Sequence, residues 1–232
     1  MSRSTVTPLS RSRQDYLKAL HELGATSVRV STSVLARHLG LSAPSVTKML
    51  ARLEDEGLVA VQPRGGARLT AEGKRAALAM VRRHRVLETF LVQVLGFDWS
   101  EVHDDAEILE HHISERVLDA IDRLVGRPAE DPHGHLIPDR HGRLRQRTLT
   151  PLAALAAGRA ATIREIRTAD GRRMARWKEV GLVPGARVQM NAVRALEDVY
   201  ELEVQGRPLI TGSEGLEGLM VERAPRGGRR VR

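Results

Sequence analysis

Residues 31–57, STSVLARHLGLSAPSVTKMLARLEDEG, are typical of two short helices joined by a tight turn. Apolar residues recur at helical spacing in both halves, and Gly40 and Gly57 follow as stop signals. Ser42 is placed to cap the second helix, and Pro44 is tolerated in its first turn because the missing N–H would be unpaired there anyway. The stretch predicts a helix-turn-helix.

The flanking segments extend this motif. A helix is predicted from Arg13 to Leu23, with apolar residues on one face and Gly24 as its stop. Two β-prone stretches, Leu58 to Gln62 and Ala67 to Thr70, follow the motif, and the glycine pair between them can adopt the positive φ of a tight hairpin. Three helices followed by a hairpin predict a winged helix-turn-helix.

Two long amphipathic helices are predicted next, from Thr70 to Leu95 and from Asp104 to Val125. A pair of helices of this kind can dimerise, because each presents an apolar stripe to a partner. The stripe of the second helix consists of Ile113, Val117, Ile121 and Leu124.

The character of the chain changes after Gly126. Proline, glycine, histidine and arginine dominate as far as Thr150, which is typical of a linker. Four β-prone segments follow with glycines between them, the pattern of a small β-barrel. They are Ala161 to Arg167, Arg187 to Val193, Val199 to Val204 and Leu219 to Arg223.

The predicted fold class is therefore mainly α with a C-terminal all-β domain. The domains expected are a winged helix-turn-helix (1–73), a helical domain (74–126), a linker (127–150), a β-barrel (151–223) and a basic disordered tail (224–232).

Composition narrows the class of protein. The 37 Lys and Arg residues against 29 Asp and Glu residues leave 232 residues with a net charge of +8, which favours a polyanionic partner such as DNA. The chain has no cysteine, so disulfides and thiolate ligands are excluded. There is no apolar run long enough to span a membrane and no signal peptide pattern, which predicts a cytoplasmic protein.

The segment VHDDAEILEHH, residues 102–112, carries the strongest chemical signal. On a helix, Glu107, Glu110 and His111 would converge on one point, and His103 lies one turn before Glu107. Carboxylates and imidazoles suit a divalent first-row metal, here Mn, Fe, Zn or Co. The alternative is a solvated polar helix face, which is common.

A second pair favours the metal interpretation. His84 and Glu88 are also four residues apart, and His84 falls in line with an apolar stripe that should be buried. A buried charged pair needs a compensating partner, and a cation is one. The histidines of the linker, His133, His135 and His141, are interpreted as solvated, and so is His112.

The helix-turn-helix predicts a DNA contact surface at the start of its second helix, which enters the major groove in such motifs. Hydroxyl and ammonium groups there can reach phosphates or bases, and small apolar groups can meet thymine methyl groups. The alternative is a protein-interaction module. The DNA-contacting residues expected are Ser42, Ala43, Pro44, Ser45, Thr47, Lys48 and, at the hairpin tip, Arg64.

Taken together, these motifs resemble the DtxR/MntR family of metal-dependent transcriptional repressors, over nearly the whole chain. Residues 180–185, VGLVPG, resemble the small Src-homology-3-like barrel, of FeoA type, at the C-terminus of the longer members. The other matching segments are Asp15-Tyr16-Leu17, residues 42–49, Arg83-His84-Arg85 with Glu88, and residues 102–112.

The resemblance implies a homodimer that binds palindromic DNA operators and controls metal-uptake genes, with a metal site linking the first helix to the dimerisation helices. By position, the primary site would consist of Asp15, Glu107, Glu110 and His111. The ancillary site would consist of His84, Glu88 and His103, and Asp170 from the barrel would reach it.

The resemblance also bears on the metal. The iron-responsive branch typically has methionine and cysteine where this chain has Asp15 and Glu107, so Mn(II) is the expected metal and Fe(II) the alternative. The shorter manganese regulators carry a further glutamate where this chain has Lys18, which argues against their binuclear arrangement. Two other interpretations remain at this point: a metalloenzyme, and a regulator that senses an organic ligand.

Overall fold

The computed structural model describes residues 9–62 and 65–223, which form two compact units. The first contains the described residues up to 84 together with 110–113 and 138–144, and the second contains 85–109, 114–137 and 145–223. No described helix is long and apolar enough to cross a membrane. The tip residues Pro63 and Arg64 and the predicted tail at 224–232 lie outside the described residues.

The first unit contains the winged helix-turn-helix, as predicted. Helices α1 (Arg11–Glu22), α2 (Thr32–Leu39) and α3 (Ala43–Asp55) precede the antiparallel strands β1 (Val59–Gln62) and β2 (Gly66–Leu69). The hydroxyl of Ser31 caps α2 and that of Ser42 caps α3, and Gly40 ends α2 in the left-handed conformation. A short bridge from Val30 to Ala67 adds a third segment to the hairpin.

An aliphatic core holds these elements together. The spacing of apolar residues in α1, α2 and α3 turns one stripe of each helix inward, and Leu17, Leu20, Leu35 and Leu53 are fully buried. Each such side chain stabilises the fold by roughly 1.5–3 kcal/mol. The opposite faces of α1 and α3 are thereby left available for polar side chains.

Helix α4 (Ala71–Gln93) matches the predicted first long helix, but the second long helix is wrong. Residues 102–124 form two helices, α5 (Val102–Leu109) and α6 (Glu115–Leu124), separated by a turn. The hydroxyl of Ser114 accepts the Val117 N–H and starts α6 afresh. Glu110 and His111 therefore lie in the turn and not on a continuous helix.

The C-terminal part of the second unit is a six-stranded antiparallel sheet of order β3-β8-β4-β5-β6-β7. Its strands are β3 (Thr150–Pro151), β4 (Arg159–Ile166), β5 (Arg187–Arg194), β6 (Val199–Val204), β7 (Arg207–Thr211) and β8 (Leu219–Arg223).

Four of these strands were predicted, whereas the short β3, the edge strand β7 and helix α7 (Gly171–Glu179) were missed. Strand β7 contains Pro208, which lowers its β-propensity, and it lies at the edge of the sheet, where proline is tolerated. The sheet core includes Ile163, Met174 and Trp177.

The segment predicted as a linker contains two similar tight turns. The carboxylate of Asp131 accepts the N–H groups of His133 and His135, and that of Asp139 accepts those of His141 and Arg143. Each turn has a left-handed glycine at its fourth position. The first turn is buried against the second unit, so the expectation that His133 is solvated is wrong, whereas His141 and His112 are exposed as expected.

These two turns provide a matched pair for a stability measurement. A Cβ at Gly134 would overlap the carbonyl of Arg164, whereas a Cβ at Gly142 would meet only ordinary contacts. Both alanine variants have the left-handed strain of about 1–2 kcal/mol, and Gly134→Ala adds an overpacking cost of about 1–3 kcal/mol. Urea unfolding of the metal-stripped proteins should therefore show Gly134→Ala less stable than Gly142→Ala. Equal loss in the two variants would contradict the close packing of the first turn.

Candidate metal centre and DNA-reading surface

Helix α1 contributes polar side chains from one face. Its apolar stripe is buried in the core, so Gln14, Asp15 and Lys18 lie on the remaining surface at spacings of three and four residues. Lys18 is nevertheless buried, with 6% of its surface exposed. A buried ammonium group needs charged partners, and these come from the turn after α5.

The guanidinium of Arg83 holds this turn in place. It donates to the carbonyl oxygens of Glu110, at 3.2 Å, and Ile113, at 2.7 Å. These backbone groups follow the end of α5 and lack helical partners, so the contacts from α4 replace the missing hydrogen bonds. The Glu110 side chain is thereby directed into the first unit, where none of it is exposed.

The carboxylate of Glu110 is surrounded by positively charged and polar groups. The Lys18 Nζ lies 3.1 Å from each of its two oxygens, and the His84 Nδ1 lies 2.8 Å from Oε2. Lys18 Nζ is also 3.1 Å from His84 Nδ1. Three atoms from α1, α4 and the turn therefore meet within hydrogen-bond distance.

On the other side of Glu110 lies His111, whose ring is oriented by Gln14. The Gln14 amide donates to the Leu9 carbonyl, which leaves its Oε1 to accept the His111 Nδ1–H at 2.8 Å. The His111 Nε2 is then the free end of the ring. It is buried, it lies 3.0 Å from Asp15 Oδ1 and 3.6 Å from Glu110 Oε1, and it makes no hydrogen bond within the described part of the chain.

Asp15, Glu110 and His111 together fit a divalent cation. Two carboxylate oxygens and a bare imidazole nitrogen face one another, and this donor set suits Mn(II), Fe(II), Zn(II) or Co(II). A ligating histidine usually donates its second ring N–H to an oxygen acceptor, which is what His111 does through Gln14. We call the group formed by Gln14, Asp15, Lys18, His84, Glu110 and His111 the Glu110 pocket.

The other predicted ligands lie in the second unit, around the buried carboxylate of Glu88. His103 Nδ1 lies 3.4 Å from Glu88 Oε1, and His103 Nε2 lies 3.9 Å from Glu107 Oε1. The predicted ancillary pair Glu88 and His103 is therefore in contact, and Glu107 adjoins it.

The same carboxylate also contacts a histidine of the predicted linker. His133 Nδ1 lies 3.5 Å from Glu88 Oε2, and its Nε2 lies 2.7 Å from the Trp99 carbonyl oxygen. Burial lowers the pKa of His133, but the hydrogen bond and charge of Glu88 and the charge of Asp131 outweigh it, so the pKa is raised overall. Asp131, His133 and His135 form a further group with ligand atoms within 4.8 Å of one another.

Asp170 stands apart from these groups. It is exposed and caps α7, and its Oδ1 accepts the N–H groups of Arg172 at 3.0 Å and Arg173 at 3.2 Å. Its second oxygen is not used by the cap. Its predicted role as an ancillary ligand stays a prediction.

Sequence reasoning missed Gln14, Lys18, Asp131 and His133 as members of these sites. Gln14 immediately precedes a predicted ligand, but nothing in its sequence context shows which atom it meets. The Asp-x-His-Gly pattern at 131–134 recurs at 139–142, and this repeat was a readable signal for ordered turns.

The predicted DNA contacts lie on the outer face of α3. The residues from Ser42 to Ser45, Thr47 and Lys48 are all exposed, while Val46 and Leu50 are buried beneath them. The Ser42 hydroxyl accepts the Ser45 N–H, and Thr47 donates to the Ala43 carbonyl, so both side chains also stabilise the first turn. The remaining predicted contact, Arg64, lies outside the described residues.

Comparison with known proteins bears directly on this architecture. Residues 8–67 match the family model of the iron-dependent repressor N-terminal DNA-binding domain. Residues 70–139 match that of the iron-dependent repressor metal-binding and dimerisation domain, and residues 150–223 match the FeoA domain. All three descriptions agree with the order of elements along the chain.

Individual relatives agree with the family models. The iron-dependent repressor IdeR of Mycobacterium tuberculosis is 31% identical over 185 residues, covering 75% of this chain and 80% of the relative. The diphtheria toxin repressor of Corynebacterium jeikeium is 26% identical over 231 residues, covering 90% and 95%.

A solved structure described as a manganese-dependent transcriptional repressor in complex with manganese is 36% identical. It aligns with a TM-score of 0.85 over 91% of this chain and 100% of that chain. These relatives are repressors of transcription, which decides against the metalloenzyme interpretation. The chain belongs to the DtxR/MntR family of metal-dependent transcriptional repressors.

Proposed function

We propose that this repressor responds to Mn(II) and represses metal-uptake genes by binding palindromic operators as a homodimer. The observation that carries the proposal is the buried Nε2 of His111, which faces the carboxylates of Asp15 and Glu110 without a hydrogen bond in the described structure. A divalent cation satisfies all three groups. As a DNA-binding protein it would work in the cytoplasm.

The proposed primary ligands are Asp15, Glu107, Glu110 and His111. They come from α1 and from the segment 107–111, so a cation held by all four would tie these two segments together. The proposed ancillary ligands are His84, Glu88 and His103, with Asp170. The contacts of Glu88 with His133 support adding the turn 131–135 to the candidate ligands around Glu88.

Two facts support Mn(II) as the metal. The proposed ligands are all carboxylates and imidazoles, without the methionine and cysteine that are typical of the iron-responsive branch. Among the relatives, the manganese-dependent repressor is 36% identical, against 31% for the iron-dependent one. Fe(II) is the second candidate, because the matched family models are described as iron-dependent and Fe(II) binds such sites at least as strongly.

The mechanism follows from linkage. With its ligands joined, α1 and the α3 surface packed in the same unit are fixed in one arrangement, and in a dimer two such surfaces must lie about 34–36 Å apart, or a multiple of this, to enter successive major grooves. The cation supplies the free energy that favours this arrangement. DNA must then raise the metal affinity by the same factor by which the metal raises the DNA affinity.

The first test is metal-dependent DNA binding. We expect metal-stripped protein to bind DNA from upstream of its own gene and of adjacent transporter genes only after Mn(II) is added. Glu107→Gln should abolish this dependence because it removes a charged ligand, whereas Asp104→Asn, on the exposed side of α5, should not. Fluorescence anisotropy measures both. Equally tight binding without metal would overturn the switch, and selectivity for Fe(II) under anoxia would establish the second candidate.

The second test concerns Gln14. Gln14→Met removes the acceptor that orients His111, and loss of such an outer partner should weaken Mn(II) binding by about 10-fold or more. Gln14→Glu keeps an acceptor at the same place and should restore most of the affinity. Titration calorimetry measures the change, and Gln93→Met, on the exposed end of α4, is the control. Unchanged affinity in Gln14→Met would mean that His111 is not a ligand.

The third test concerns the dimer. Helix α6 exposes Val117 (48%) and Leu124 (65%), two residues of its predicted apolar stripe, in the region matched by the dimerisation family model. Val117→Glu places a charge on this stripe and should shift the protein to monomers in light scattering. Val28→Glu, at a valine that is 59% exposed in the first unit, should not. A dimer that tolerates the first change would overturn the assignment of α6 to the interface.

A further inference from the structure

The feature that the proposed function does not use is the buried ammonium group of Lys18. It lies 3.1 Å from both oxygens of Glu110 and 3.1 Å from the Nδ1 of His84. Glu110 is fully buried, and His84 and Lys18 each expose 6% of their surface. The group is therefore a cation enclosed by atoms of the types that bind divalent metals.

The contact between His84 and Glu110 depends on a cation between them. His84 Nδ1 and Glu110 Oε2 are 2.8 Å apart, and both lie within reach of the same ammonium group. When Nδ1 presents its lone pair to Lys18, two lone-pair atoms face each other, and the positive charge of Lys18 offsets their repulsion. Burying the Glu110 carboxylate without such a charge would cost several kcal/mol.

A lysine and a metal ion cannot share these donors. First-row metals lie about 2.0–2.2 Å from imidazole nitrogens and carboxylate oxygens, so an ion bound to His84 Nδ1 and Glu110 Oε2 would overlap the position of Nζ. The Asp15 and His111 side of Glu110 is different, because the nitrogen that faces it there is the bare Nε2 of His111.

We propose that Lys18 is a built-in cation that fills the position between His84 and Glu110 and limits the Glu110 pocket to a single metal ion, on the side of Asp15 and His111. The inference rests on the proposed function only in taking that side as a metal site. It makes residue 18 the determinant of metal number: a carboxylate at this position would supply a ligand where the chain now supplies a charge.

The experiment compares Mn(II) stoichiometry in metal-stripped full-length proteins. Lys18→Glu should bind one more Mn(II) per chain than wild type in equilibrium dialysis. Its electron paramagnetic resonance spectrum should show exchange coupling, because two ions bridged by Glu110 lie close together. Lys74→Glu makes the same change of charge on an exposed lysine of α4, and it should bind as many ions as wild type.

Two further variants make the result specific. Adding His84→Gln to Lys18→Glu should remove the extra ion and the exchange coupling. Lys18→Met, which removes the cation without supplying a ligand, should take up the extra ion more weakly, and it serves if Lys18→Glu fails to fold in a thermal melt.

The outcomes separate the two proposals. If Mn(II) binding by the wild-type chain does not fall in Asp15→Asn, the proposed metal site fails. If it does fall, and neither Lys18 variant binds an extra ion, the proposed function stands and the Lys18 inference is overturned. An extra ion that is not coupled to the first, or that persists without His84, also overturns it.

Discussion

The buried carboxylate of Glu110 is the constraint on which the first unit depends. A negative charge with none of its surface exposed must be compensated by neighbouring groups. The compensation comes from distant parts of the chain: Lys18 on α1, His84 on α4, and Arg83, which holds the turn itself. The elements that carry DNA contacts and the turn that carries proposed ligands are thus joined by one charge.

This arrangement makes the pocket sensitive to added cations. Glu110 has one side facing Lys18 and His84 and another facing Asp15 and His111, and only the first contains a permanent positive charge. A metal ion on the second side would neutralise charge that Lys18 leaves over. The pocket can therefore respond to metal without requiring that its core charge pair be formed anew.

The second unit repeats the principle with other residues. Glu88 is buried among His103 and His133, and the second of these is fixed by the Asp131 turn. The close contact of Gly134 with β4 explains why the segment between the helices and the sheet is ordered although it lacks regular secondary structure. A stretch of low periodicity is therefore a structural part of this unit.

The sequence by itself determined the winged helix-turn-helix, four strands of the sheet and most of the candidate ligands. These features follow from local rules: apolar spacing, Ser31 and Ser42 as caps, glycine stops, and metal-binding side chains one turn apart. The tertiary structure alone decided the break between α5 and α6, the burial of His133, and the partners of Lys18 and Gln14. These depend on contacts between residues such as Lys18 and Glu110, 92 positions apart, whose packing no local pattern of spacing encodes.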